Sequence, residues 1–317
     1  MPMNETITQP LPRLPRIEQI EGGLRVNAPA KINLNLLVGK LRPDGFHSVD
    51  SYVAAVTLYD QVDLKPREDG QFNCHCIGAD CGCEQENLAM RAAKLLAQNV
   101  SHHHAALPHG PAASPHFASG VDIYLKKNIP PGKGLGGGSS DAAAVLEGLN
   151  HLWCLHLDHR RLTELAIKLG SDVPLFLGPS ASRMTGRGEI LEHAQVSPFC
   201  AILFLSQYFC GTADVYRKFD EFAHTAAQQI HVNLISQRPP SQWRLDMVNQ
   251  LQEASFAVCP ALGSLWREIS EAAKIPIHMS GSGSALFALC DSPEDSAKVI
   301  ASLPPHLQKI CVCVQNI

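Results

Sequence analysis

The chain has 317 residues, of which 45% are hydrophobic and 18% charged, with a formal net charge of -4. Those figures exclude a disordered protein and leave room for one large domain or two ordinary ones. The acidic balance also excludes a general nucleic-acid binder, because holding a phosphate backbone needs a basic surplus.

The first twenty residues carry Glu5, Glu18 and scattered prolines without an apolar stretch. Residues 1–24 therefore read as a loose tail and not as a signal peptide. No window approaches the ~20 apolar residues of a membrane span. From Val26 to Lys65 the pattern is strand-like: Ile32, Leu34, Leu36 and Val38 alternate with Asn33, Asn35 and Leu37. Lys31 falls where this strand begins, among small and apolar residues, a costly place for a charge unless it is paired. Asn33 lies two residues on, along the same strand face. Arg42-Pro43-Asp44-Gly45 supplies turn chemistry, and Phe46-His47 follows it with little core to fill.

Cys74-x-Cys76 and Cys81-x-Cys83 place four thiols close together. Two readings stay open for them, a structural zinc with unusual spacing or a loop of free thiols. Most of the other cysteines are scattered singly, which suits reduced thiols in a cytoplasmic protein. Asn87 is a helix cap preceding Leu88, Ala92, Leu95 and Leu96. Residues 99–119 are rich in His, Ala, Pro and Ser without periodicity and read as an exposed insertion. A short strand (Val121, Ile123, Leu125) leads to the run Pro130-Pro131-Gly132-Lys133-Gly134-Leu135-Gly136-Gly137-Gly138-Ser139-Ser140-Asp141.

Glycines without Cβ let a backbone wrap closely round a ligand, and a helix opened at Ser139 or Ser140 presents unpaired N–H groups. Together they make an anion site suited to nucleotide phosphates. A Walker A loop fails because Gly134 follows Lys133. Gly132-x-Gly134-x-x-Gly137 spells a dinucleotide fingerprint, although the preceding strand joins it through Asn128 to Pro131 and not tightly. A protein-kinase loop fails for want of His-Arg-Asp and Asp-Phe-Gly.

Beyond the run, a helix shows Val145, Leu146, Leu149, Leu152 and Trp153. Another starts at the Asp158 cap and stops at Gly170, followed by Asp172 on a loop stiffened by Pro174. Strand Ala201–Leu205, a helix from Pro260 to Lys274, a Gly/Ser loop, strand Ala285–Cys290, the capping-box spelling at Ser292 and strand Ile310–Val314 complete the chain. Mixed elements in both halves predict two α+β domains, 25–185 and 186–317.

Three ordered segments carry a resemblance. Ala28-Pro29-Ala30-Lys31-Ile32-Asn33-Leu34, the glycine run, and Met279-Ser280-Gly281-Ser282-Gly283-Ser284-Ala285-Leu286-Phe287 resemble the three motifs of the GHMP small-molecule kinases. The resemblance implies an N-terminal domain like ribosomal protein S5 domain 2, a ferredoxin-like C-terminal domain, and a site between them using ATP with Mg²⁺. Arg42 to His47 and Gly170-Ser171-Asp172-Val173-Pro174-Leu175-Phe176 resemble one branch of that family. Its members phosphorylate the 2-hydroxyl of a cytidine-diphosphate derivative of methylerythritol, in the non-mevalonate isoprenoid route. The same resemblance implies Asp172 as base, Lys31 as its cationic partner and Asn33 as a substrate donor. Phe46 then stacks on cytosine and His47 hydrogen-bonds it, with Thr212 and Tyr216 as a second substrate wall. ATP falls to residues 130–140, with Asn87 and Lys126 or Lys127 toward the adenine, the Ser280–Ser284 loop near the phosphates, and Ser140 as a contact for the ion. Other GHMP kinases acting on homoserine or mevalonate, a dinucleotide-binding oxidoreductase and a catalytically dead sensor are the competing readings.

Overall fold

The computed structural model describes residues 16–78, 87–104, 120–222 and 238–317. Each half of the chain builds one sheet. In the first, β1 (Arg16–Ile20), β2 (Gly23–Asn33), β4 (His47–Pro66), β6 (Val121–Lys127) and β5 (Phe72–Gly78) lie side by side in that order. β3 (Leu37–Leu41) and β7 (Ala181–Thr185) also pair with β4, and β8 (Ile190–His193) pairs with β7. One strand serves so many partners because β4 is 20 residues long: its end meets β6 and its beginning meets β3 and β7.

Helices α1 (Leu88–His104), α2 (Gly137–Leu152) and α3 (His159–Leu169) pack with this half. Val121, Ile123 and Leu125 are buried, while Tyr124, between them, is exposed, as the twofold period of a strand requires. In β2 the alternation holds as far as Asn27 and then gives way to continuous burial. A second apolar layer explains the change. Ala30, Ile32, Tyr52 and Ala54 share one cluster with Ala201, Leu203, Phe287 and Leu289 from the other half. Burying a side chain such as Ile32 or Phe287 there contributes about 1.5–3 kcal/mol.

The second sheet is antiparallel, in the order β10 (His278–Met279), β11 (Leu286–Cys290), β9 (Cys200–Phe204), β12 (Cys311–Gln315). Helix α4 (Thr212–Asp220) packs on α5 (Gln252–Val258), followed by α6 (Pro260–Ala273) and α7 (Pro293–Ser302). The chain end returns to the first half, where Asn316 bridges Val56 and Ile317 donates to the Ala55 carbonyl at 3.2 Å.

The expected caps form: Asn87 Oδ1 accepts from Ala89 N–H at 2.9 Å, Asp158 from Arg161 N–H at 2.9 Å and Ser292 from Asp295 N–H at 3.1 Å. Five expectations change. The tail is ordered from Arg16, because β1 pairs with β2 across a tight turn. Helix α2 opens at Gly137, ahead of Ser139, since the helix itself takes up two of the glycines. Helix α1 runs on to His104, so only residues 105–119 of the expected insertion lie outside the described residues. Lys31 sits near the end of β2, beyond a register shift at Pro29/Ala30, and not at a strand's beginning. The β7–β8 hairpin straddles the boundary drawn at residue 185, and β8 stays with the first sheet.

Candidate active site

The glycine run crosses between the two sheets. Gly132, Gly134 and Gly136 alternate in the left-handed region, with φ of 67°, 75° and 72°. Two of them are required by close approach as well. A Cβ on Gly134 would stand 2.1 Å from the Ser280 carbonyl oxygen, and one on Gly136 would press on Phe176 at 2.7 Å and Lys31 Cγ at 3.1 Å. Gly136 then becomes the N-cap of α2 with no side chain capping it, so the first-turn N–H groups stay open to an anion. From the facing Gly/Ser loop, Ser280 Oγ donates to Gly134 O at 2.9 Å, and Ala285 N–H donates to Lys133 O at 3.1 Å.

Lys31 lies under this loop. Its N–H donates to Leu135 O at 2.9 Å, and its ammonium donates to Asn33 Oδ1 at 2.5 Å. Burial lowers the Lys31 pKa, with the Asp172 charge opposing. Asp172 stands in the turn between Gly170 and the single-turn helix Pro174–Leu177, and no ion pair engages it among the described residues. The same carboxylate acts on Tyr216, whose hydroxyl is pushed up to about 12, chiefly by burial. Asp172 from the α3 exit is therefore within electrostatic reach of both Lys31 from β2 and Tyr216 from α4. A cation, a candidate base and an aromatic wall meet there below an anion cradle.

The other expected residues fall in different places. Asn33 braces its neighbours: Oδ1 accepts from Lys31, and one Nδ2 hydrogen goes to Ser51 Oγ at 2.8 Å. These bonds hold Lys31 in place and leave the second Nδ2–H for the substrate donation expected of it. His47 is buried, with Nδ1 2.9 Å from Gly39 O, Nε2 3.2 Å from Asp220, and its ring stacked on Tyr216 at 5.4 Å. Phe46 is 52% exposed, with the Arg187 guanidinium 4.9 Å from its ring centroid. Thr212 Oγ1 meets Ser282 Oγ at 2.9 Å and ties α4 to the Gly/Ser loop.

On the nucleotide side, Lys133 turns away from the cradle and donates to the Tyr208 carbonyl, which Ser284 also approaches. Pro130 is half-buried, while Pro131 and Gly138 are exposed at the rim. Asn87 caps α1. Lys126 and Lys127 project from opposite faces of β6. Lys126 is exposed beside Tyr124, His75 and Arg25, whereas Lys127 is buried and donates to both Asp60 and Asp141. Asp60 Oδ1 also accepts from Asn128 N–H at 2.6 Å and Ile129 N–H at 2.8 Å. This triad joins β4, β6 and the start of α2 directly behind the glycine run. Sequence reasoning missed it, and the only hint was a charged residue closing a glycine run.

Of the four clustered cysteines, Cys81 and Cys83 lie outside the described residues. Cys76 carries a disulfide bond, so the cluster is not a set of four thiols. Cys200, Cys210, Cys259 and Cys290 are free. No helix among the described residues is long and apolar enough to cross a membrane.

Comparison with known proteins fits this geometry. Residues 87–178 match the GHMP kinases N terminal domain and residues 235–308 the GHMP kinases C terminal domain. The chain is 34% identical to the 4-diphosphocytidyl-2-C-methyl-D-erythritol kinase of Pelotomaculum thermopropionicum, over 86% of this chain and 91% of that one. It is 32% identical to the enzyme of that name from Bacillus subtilis, over 83% and 86%. A crystal structure of 4-(cytidine 5'-diphospho)-2C-methyl-D-erythritol kinase superposes with a TM-score of 0.70 at 31% identity, covering 92% of this chain and 99% of that one. The mevalonate kinase of L. major in complex with R-mevalonate shares the fold alone, with a TM-score of 0.59 at 13% identity and coverage of 96% and 98%.

Proposed function

This chain belongs to the GHMP kinase family, and we propose that it uses Lys31 and Asp172 to move the ATP γ-phosphate onto the 2-hydroxyl of 4-(cytidine 5'-diphospho)-2-C-methyl-D-erythritol. It is a kinase acting on a small molecule, with ATP as co-substrate, in isoprenoid synthesis by the non-mevalonate route. The observation that carries the residue assignment is the buried Lys31 ammonium within the field of Asp172, beneath an uncapped helix start.

Phosphoryl transfer asks a protein mainly for positioning and for neutralisation of charge. The Gly137, Gly138 and Ser139 N–H groups hold the phosphates at the positive end of α2. Asp172 accepts the proton of the attacking hydroxyl. Lys31 stabilises both that carboxylate and the developing alkoxide, and its burial strengthens each attraction. Tyr216 and the His47 ring behind it form one wall for the cytidyl part, with Phe46 next to His47 in the chain. Asn87 stands toward the adenine. Mg²⁺ would accompany ATP and be held chiefly by phosphate oxygens, with Ser140, whose buried Oγ has no hydrogen-bond partner among the described residues, as the side chain offered to it. A cytoplasmic location belongs to the same reading; the free Cys200, Cys210, Cys259 and Cys290 speak for it and the Cys76 disulfide does not.

The test is an assay of ADP release with the cytidyl substrate present and absent. Turnover should depend on that substrate and not appear with homoserine or mevalonate. Asp172→Asn should abolish turnover while leaving ATP binding nearly intact. Retained turnover would remove Asp172 from its role.

A further inference from the structure

Arg187 has no place in the reading above, yet its guanidinium lies over the ring of Phe46, whose chain neighbour His47 stacks on Tyr216. It rides on the β7–β8 hairpin, whose tip is tied to β4 by Val49 N–H donating to Gly186 O at 2.8 Å. Glu189, the nearest acid in sequence, folds back to accept the Arg187 backbone N–H at 2.5 Å and is spent within the turn. The guanidinium itself has no carboxylate within ion-pairing distance among the described residues. Its contact is the Phe46 ring, 4.9 Å from centroid to Cζ, and that ring is 52% exposed.

The neighbouring cations differ. Arg42 pairs with Asp44 at 3.2 Å, Arg217 with Asp214 at 3.1 Å and Lys218 with Glu221 at 2.5 Å. Asp172 and Asp220 stand against Lys31 alone, so the named carboxylates (Asp44, Asp214, Glu221, Asp172, Asp220) outnumber the named cations (Arg42, Arg217, Lys218, Lys31). A substrate carrying a diphosphate would meet repulsion here unless a positive group were left over. Arg187 is such a group. A guanidinium lying over an aromatic ring keeps its N–H edges available for a bidentate bond to phosphate.

We propose that Arg187 is a further substrate-binding residue, packing on Phe46 and donating to the diphosphate of the cytidyl substrate. The proposal rests on the functional reading above and assigns charge recognition to the hairpin, separately from recognition of the base. It also gives Phe46 a second duty, as the platform that orients the guanidinium.

Wild type, Arg187→Ala and Arg187→Lys should be compared in steady-state kinetics and in direct binding of cytidine, CMP and CDP. Arg187→Ala should raise KM for the cytidyl substrate by about 10-fold or more, the loss expected of a charged hydrogen bond, with a much smaller change in kcat and in KM for ATP. CDP affinity should fall by a similar factor, CMP less, and cytidine by under about twofold. Arg187→Lys should recover part of the loss, because it restores charge but not the planar fork. Equal losses for cytidine and CDP would overturn the proposal in favour of support to base stacking, as would an unchanged KM in an active enzyme. A wild type inert toward the cytidyl substrate would instead defeat the functional reading, and the cytidine-to-CDP comparison would still judge Arg187. Unchanged ATP affinity in each variant reports that the fold is intact.

Discussion

Lys31 and Lys127 are both buried lysines of the first sheet, 4% and 8% exposed, and both lie against the glycine run. Lys127 donates to two carboxylates, Asp60 and Asp141. Burial alone would lower its pKa, but those charges carry it above the ordinary value. Lys31 donates to a neutral amide and feels one carboxylate without pairing to it, so burial prevails and its pKa falls. The same residue type in the same layer is thus satisfied at one position and left wanting a negative charge at the other. Satisfaction suits a girder. A shortfall suits a site whose anion arrives with the substrate.

The largest test of that contrast is Lys31→Met, which should lower turnover by about 10²- to 10⁴-fold, measured by ADP release, while the protein stays folded. Lys127→Met should do the opposite. Two buried carboxylates lose their counter-charge, and stability should fall by about 3–5 kcal/mol in a denaturant titration. If Lys127→Met melts like wild type, the triad is not the girder described.

A finer measurement uses pH. A lysine whose folded pKa lies below its unfolded value penalises the fold wherever it is protonated in both states, and that penalty fades as pH rises through the folded value. Lys31→Met should therefore stabilise the free enzyme by about 1 kcal/mol or more near neutral pH. The gain should shrink as pH approaches the ordinary lysine value. A gain that grows with pH would contradict a depressed Lys31. Smallest of all, Ser280→Ala removes the hydroxyl that reaches Gly134 O and receives Asn33 N–H, the latter at 3.2 Å. It should cost about 1 kcal/mol of stability with a modest rise in KM for ATP. That result would show the loop to be braced from the second sheet without depending on one bond.

Much of this was legible beforehand where the cause is local. Alternation in β6, the caps at Asn87, Asp158 and Ser292, and the end of α3 at Gly170 each follow from a few neighbouring residues, and each formed. Misplacements arose where a distant element took control. Lys31 resembles a strand's beginning when only its neighbours are considered, because the second apolar layer over Ala30 and Ile32 comes from Ala201, Leu203, Phe287 and Leu289, far along the chain. Lys133 looked available to ligands because nothing local reveals the Tyr208 carbonyl as its partner.

The glycine run shows the division most plainly. Its composition already required a backbone without Cβ ahead of a helix, hence a cradle for phosphate, since that demand is set by adjacent dihedrals. Which charges surround the cradle is a different matter. Lys31, Asp172 and Lys127 come from segments far apart in the chain, and each is paired or left unpaired only by what the fold brings beside it. Local sterics follow from the order of residues, but the energy of a buried charge depends on its whole surroundings, and only the tertiary structure supplies those.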